Sequence, residues 1–362
     1  MGMSMDVIVG VVVIFGHFFL PVYQNPHTGP GDPAGESGPG LIPDPGQPQM
    51  IEAVNEAFPV TRRFQKSRGK HITGRTHITF DIHGFHIDML RLCFEITEPA
   101  IFDYLATLGP AEKADFYDFY LCRIEGKHFE YVFEIRYDDL GEDRLFGELR
   151  FGINKNEDEA NTHTNGKRKA WISISNRVLY TTEEIHYIEY IADVLHLELH
   201  NITSLDLCLD MSMNIARYLK RLIRCKDLGV ILNGKRIKDR KEDRPEIIYT
   251  MSGNLDRDKY LTLNIKQKKA IKDKSKGSTL AAYDKRAEIA NSSSKDYISD
   301  LYGRPSKLHR LEVHLNNDEI KDYFNKTGEE LNIGTIFNQQ FLFRLFFSTL
   351  ESLIRFERGG KK

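Results

Sequence analysis

The chain has 362 residues, 41% hydrophobic and 28% charged, which places it among soluble proteins that bury a real core in one large domain or two closely packed ones. Its four cysteines, Cys93, Cys122, Cys208 and Cys225, form no C-x-x-C pair; this excludes a zinc-type spacing and fits a reducing, cytoplasmic compartment. The formal net charge of −2 conceals an asymmetry, because Arg217 to Arg286 holds 21 Lys and Arg against 9 Asp and Glu, and such segregation is one footprint of a polyanionic partner.

In chain order, Val7 to Val22 is almost wholly apolar but carries His17 and Pro21 and lacks a basic flank, so it is short of a comfortable membrane span and no stable membrane association is expected. Asn25 to Gln49 is crowded with Pro and Gly, and residues 1–49 together read as a disordered leader. The domain is expected over 50–362. "FHIDMLRLCFEI" (Phe85 to Ile96), "FEYVFEIRY" (Phe129 to Tyr137), "AWISIS" (Ala170 to Ser175) and "ITSLDLCLD" (Ile202 to Asp210) read as strands. "EIIYTM" (Glu246 to Met251), "YLTLNIK" (Tyr260 to Lys266), "TLAAYDK" (Thr279 to Lys285) and "LHRLEVHL" (Leu308 to Leu315) follow the same pattern.

Helical spacing is expected over "TTEEIHYIEYIADVLHLEL" after a Thr182 cap, placing His196 and His200 on one helix face. It is also expected over the basic "NIARYLKRLIRC" (Asn214 to Cys225) and over "NQQFLFRLFFSTLESLIRFE" (Asn338 to Glu357), a helix fit either to cap the core or to join a homodimer. Strands in runs with helices to one side predict an α+β fold built on a largely antiparallel central sheet.

Strand alternation then sorts the polar side chains. Leu205, Leu207 and Leu209 face one way, so Asp206, Cys208 and Asp210 face the other; Arg310, Glu312 and His314 likewise oppose Leu311, Val313 and Leu315. Tyr283 and Lys285 share a face. Most polar strand faces are solvated and carry no chemistry, and Asp206 and Asp210 stand roughly 13 Å apart along one strand, too far to grip one ion directly. Lys285 beside Tyr283 is the sharper signal, because a cation there favours phenolate and stabilises phosphate charge.

The motifs "ITSLDLCLD", "LAAYDKRAE" and "LHRLEVHL", in that order, resemble the Rep-trans (replication initiation factor) family of rolling-circle replication initiators. "WISISNRVLYT" (Trp171 to Thr181) and the I-D of "FHIDMLRLCFEI" are similar to the family's earlier strands, over about Phe85 to Phe324. The family's aromatic after I-D is Met89 here, and its first-motif arginine is Ser204.

The resemblance implies origin-specific binding of DNA and strand nicking, with a tyrosine joined to the 5′-phosphate and a 3′-OH released. Carried over by motif, Tyr283 is the nucleophile, Lys285 and Arg310 neutralise the scissile phosphate, and Asp206, Asp210 and Glu312 form the carboxylate set for Mg²⁺ or Mn²⁺. A host helicase is an expected partner. Mg²⁺ or Mn²⁺ suits oxygen ligands, and phosphoryl transfer needs an in-line oxygen and charge neutralisation. The basic loops supply DNA-backbone contacts through Lys235, Arg236, Lys238, Arg240, Lys266, Lys268, Lys269, Lys274 and Lys276. A relaxase for mobilisation and a non-catalytic DNA-binding protein are the alternatives. No histidine pair of the other large nicking class and no H-x-x-R box of tyrosine recombinases is present.

Overall fold

The computed structural model describes residues 81–154, 168–180, 186–225, 228–237, 248–254, 259–266, 277–293 and 295–358. The leader, the apolar segment at Val7 to Val22 and the Thr182 cap lie outside the described residues. No helix of the described residues is long and apolar enough to cross a membrane.

The strands are β1 (Ile82–Ile96), β2 (Lys113–Asp115), β3 (Tyr120–Ile124), β4 (Phe129–Asp139), β5 (Glu142–Asn154), β6 (Lys169–Ile174), β7 (Leu197–Met211), β8 (Leu228–Leu232), β9 (Lys235–Arg236), β10 (Ile248–Asn254), β11 (Lys259–Lys266), β12 (Thr279–Asp284), β13 (His309–Asn316) and β14 (Ile354–Arg358). The helices are α1 (Pro99–Thr107), α2 (Asn176–Leu179), α3 (Tyr187–Val194), α4 (Ile215–Arg224), α5 (Lys285–Glu288), α6 (Asp296–Leu301), α7 (Asn317–Thr327), α8 (Ile333–Phe337) and α9 (Gln339–Leu353). Eleven strands form one sheet in the order β10-β11-β12-β13-β7-β1-β6-β5-β4-β3-β2, and β14-β8-β9 form a second. Every pairing is antiparallel, as the α+β reading expects.

The apolar halves of β7, β12 and β13 put Leu205, Leu207, Leu209, Leu280, Ala282, Leu311, Val313 and Leu315 into the core. Helix α9 lies against them, with Phe343 and Phe346 at ring distances of 4.4 and 5.5 Å from Phe85. Its apolar stripe, from Phe341 to Leu353, is thus occupied by the core. Helix α4 is capped by Asn214, whose side chain accepts from the Arg217 amide, and buries Ile215, Leu219, Leu222 and Ile223.

Two helices are shorter than their spacing predicts. Helix α3 ends at Val194, and His196 takes a left-handed φ of 50° that turns the chain into β7. His196 and His200 therefore share no helix face; they sit at a turn and on a strand, against Glu98 (3.2 Å) and Glu95 (3.3 Å). Leu197 and Leu199 alternate as a strand requires, and pairing with β1 overrides the helical reading of these leucines. Likewise α9 stops at Leu353, and Ile354 to Arg358 pair with β8.

Candidate functional site

Register brings the motif residues to one part of the sheet. Tyr283 of β12 lies opposite Arg310 of β13, and Arg310 lies opposite Asp210 of β7; His314 faces Asp206 in the same ladder. All therefore project from one face, the one opposite the leucines.

At the Asp210 end this face is covered. Arg310 is fully buried, and its Nε and Nη2 each donate to an Asp210 oxygen at 2.7 Å. Its Nη1 donates to Asp88 at 2.5 Å and its Nη2 to the Tyr180 hydroxyl at 2.7 Å. Tyr180 in turn donates to Asp88 at 2.6 Å, and the Tyr302 hydroxyl donates to Asp210 at 3.0 Å. Gly84 makes room for that last contact, since a Cβ there would come within 2.8 Å of the Tyr302 hydroxyl. His86 stacks on Tyr180 at 4.8 Å, closing the layer.

Asp88 enters this cluster because β1 carries a bulge: Ile87 faces Leu207 but Met89 faces Asp206, so one extra residue is inserted at Asp88. A bulge re-aims a side chain that plain alternation would send elsewhere. Burial pushes the Asp88 carboxyl upward, yet Arg310, Lys285, the Tyr180 hydroxyl and Lys295 outweigh it and hold the group well below the usual carboxylate range.

Tyr283 stands at the more open side. Its hydroxyl donates to Glu312 Oε2 at 2.7 Å, and that oxygen is 4.0 Å from Arg310 Nη1. Burial, and then the negative charge of Glu312, push the phenol well above its ordinary value, with Arg310 opposing. Burial also raises the Glu312 carboxyl against the pull of Arg310, helped by the charges of Asp88 and Asp206. The arrangement is a protonated phenol hydrogen-bonded to an unusually basic carboxylate.

Strand β12 ends at Asp284, whose side chain caps α5 by accepting from the Ala287 amide at 2.9 Å. Lys285 consequently leaves the strand. It is 2% exposed, 2.8 Å from Glu288, and its ammonium is 5.9 Å from the Tyr283 ring centre. Asp206 bonds to His314 Nδ1, which raises the imidazole above its ordinary value.

The cluster thus unites Tyr283, Glu312, Arg310 and Asp210, with Lys285 close by and Asp206 beside His314. Asp88, Tyr180 and Tyr302 join it; Asp88 and Tyr180 lie inside the two earlier motifs, which gave them no role, and Tyr302 lies in none. A polar group inside an apolar stretch, the Asp of "HIDML" and the Tyr of "RVLYT", was the further trace of these two in the sequence. Lys235 and Arg236 form β9, and Lys266 ends β11, where its carbonyl accepts from Asn233 Nδ2 at 2.8 Å. Lys266 pairs with Thr279, so these cations lie at the end of β12 away from Tyr283, roughly 13 Å along the strand. Lys238, Arg240, Lys268, Lys269, Lys274 and Lys276 lie outside the described residues.

Among the described residues no three His, Cys, Asp or Glu side chains converge to hold a metal ion. Asp206, Asp210 and Glu312 have separate partners in His314, Arg310 and Tyr283, so they do not fit one shared cation.

No family model matches the chain. No curated protein matches it either. Among solved structures, the chain is similar to a rolling circle replication initiator protein from Geobacillus stearothermophilus, with 12% identity and a TM-score of 0.37 over 77% of this chain and 89% of that one.

Proposed function

We propose that the protein is a rolling-circle DNA replication initiator that nicks one strand through Tyr283. The observation that carries this reading is the 2.7 Å hydrogen bond from the Tyr283 hydroxyl to Glu312. A phenol raised by burial is a poor nucleophile unless a base takes its proton as it attacks, and Glu312 is within reach and more basic than an ordinary carboxylate.

In the proposed step the Tyr283 oxygen bonds to phosphorus, its proton passes to Glu312, and the bond from phosphorus to the 3′ oxygen breaks with its electron pair, the departing oxygen taking a proton from water to become the 3′-OH. The products are a 5′-phosphotyrosine and a free 3′ end. Arg310 acts from below, holding Asp88 and Asp210 and setting the field on Glu312, rather than gripping the phosphate itself. Because the Asp206, Asp210 and Glu312 set does not fit a shared Mg²⁺ or Mn²⁺, no step is assigned to a cation.

The test is to incubate the chain and its Tyr283→Phe variant with supercoiled DNA carrying its own origin region, with and without Mg²⁺ or Mn²⁺. Open circles and a protein-linked strand that disappear in the variant support the reading, and the arms without cation measure metal dependence directly. One observation favours a non-catalytic DNA-binding protein: the Tyr283 phenol and Lys285 are largely enclosed and already partnered. That reading requires DNA binding without nicking under every cation, and a silent Tyr283→Phe substitution.

A further inference from the structure

Beyond Asp206 the same polar face continues across β1, β6 and β5. Arg91 of β1 pairs with Ser204 on one side and Ser173 on the other, one diagonal step from Asp206. Its Nε donates to the Ser173 hydroxyl at 3.0 Å, and among the described residues it makes no ion pair. The nearest acids are engaged elsewhere: Asp206 bonds to His314, and Glu148 accepts from Arg150 Nε at 3.1 Å. Arg91 is therefore a half-buried guanidinium with a hydroxyl for a partner and a second arginine for a neighbour. Burial and then the Arg150 charge lower its proton affinity, outweighing the charges of Glu148 and Asp206 nearby.

One strand further, Trp171 lies opposite Arg150 and packs on Phe129 with ring centres 5.1 Å apart. It is half-buried and is the only tryptophan in the chain. A planar guanidinium with free fork positions suits a phosphate, and a part-exposed indole beside it suits a nucleobase.

We infer that Arg91 and Trp171 form a subsite for the DNA strand that Tyr283 cuts, Arg91 holding a backbone phosphate and Trp171 stacking an unpaired base. By strand spacing and rise, Arg91 stands roughly 25 Å from Tyr283, so the phosphate it holds is a few nucleotides from the scissile one. The bound strand crosses the sheet obliquely, along a row of side chains from β12 to β5, advancing toward the same strand ends as Lys266 but on the opposite side of β12 from it. This subsite rests on the nicking reading for its substrate, but its test does not depend on nicking.

The test titrates the chain with a single-stranded oligonucleotide from the origin region while following Trp171 fluorescence, for wild type, Tyr283→Phe and Arg91→Gln at several salt concentrations. Wild type and Tyr283→Phe are expected to show equal quenching. Arg91→Gln should bind about tenfold more weakly, with a salt slope shallower by about 0.7, as loss of one phosphate contact requires. Arg91→Lys keeps the charge and loses the fork, so it should retain the slope while losing affinity, and it serves if Arg91→Gln melts below the assay temperature. Unquenched Trp171 in saturating DNA, or affinity unchanged in both Arg91 variants, with a Tyr283 adduct still formed, overturns the subsite and leaves nicking standing. A chain that neither binds single strands nor nicks overturns both.

Discussion

Arg310 is buried with two carboxylates and a phenol around it, and each of its three side-chain nitrogens donates to them. Replacing one member of such a group strands the others, which costs more than the pair itself contributes. Arg310→Met should therefore lower stability by about 3–5 kcal/mol, read from the urea midpoint. Glu312→Gln is gentler: it keeps the shape and, on the proposed nicking reading, removes the base, so it should slow adduct formation by about 10²–10⁴-fold. With Glu312 intact, the rate should fall as pH drops through its raised carboxyl value and level off above it. His86 gives a separate pH signature. Burial lowers its imidazole to about 4 from 6.5, so the unfolded chain binds more protons between those values. Stability should be complete above pH 6.5 and decline toward pH 4 by about 3 kcal/mol, a slope that His86→Gln flattens in melts recorded across that range.

At the scale of the element, the end of β12 decides where Tyr283 and Lys285 stand. Asp284 stops the strand by capping α5, and Asp284→Ala should cost about 1 kcal/mol in a denaturant titration while loosening Lys285 from Glu288. Alternation made the leucine and polar faces of β7, β12 and β13 readable in advance, because period 2 needs nothing but the local sequence. Asp88 was not readable that way, since its direction comes from a bulge that only the pairing of β1 with β7 creates. Two leucine-rich ends were misread for a related reason. Leu197 to Leu199 and Ile354 to Phe356 continue helical spacing while also alternating as strand, and strand partners from elsewhere in the chain decide between them. Arg310 shows the limit at a single residue: alternation placed it with Asp210, but its burial depends on Tyr180 and Tyr302, which arrive from other segments.

For the whole molecule, cations are divided between two places. Lys235, Arg236 and Lys266 gather beyond the far end of β12, whereas Arg91 and Arg150 lie on the open face past Asp206. Lys235→Gln with Arg236→Gln should weaken duplex binding evenly across sequences and reduce its salt slope by about 1–2, with the rate of adduct formation on pre-bound DNA unchanged. A titration at several salt concentrations beside a single-turnover assay separates the two effects. The negative remainder of the chain keeps its overall charge near neutral, so such steering is local.

The contact between Arg310 and Asp88 joins residues 222 positions apart, and Tyr180 and Asp210 join the same knot from points between them. Loop closure of that length must be completed before Arg310 and Asp88 meet. A chain still emerging from the ribosome thus has its tyrosine exposed to no organised base until β13 has been made and inserted between β12 and β7. Nicking competence should appear late and all at once in refolding, tracking the slowest sheet-forming phase rather than the first collapse. On the proposed nicking reading, an unfinished chain is by the same logic harmless to DNA.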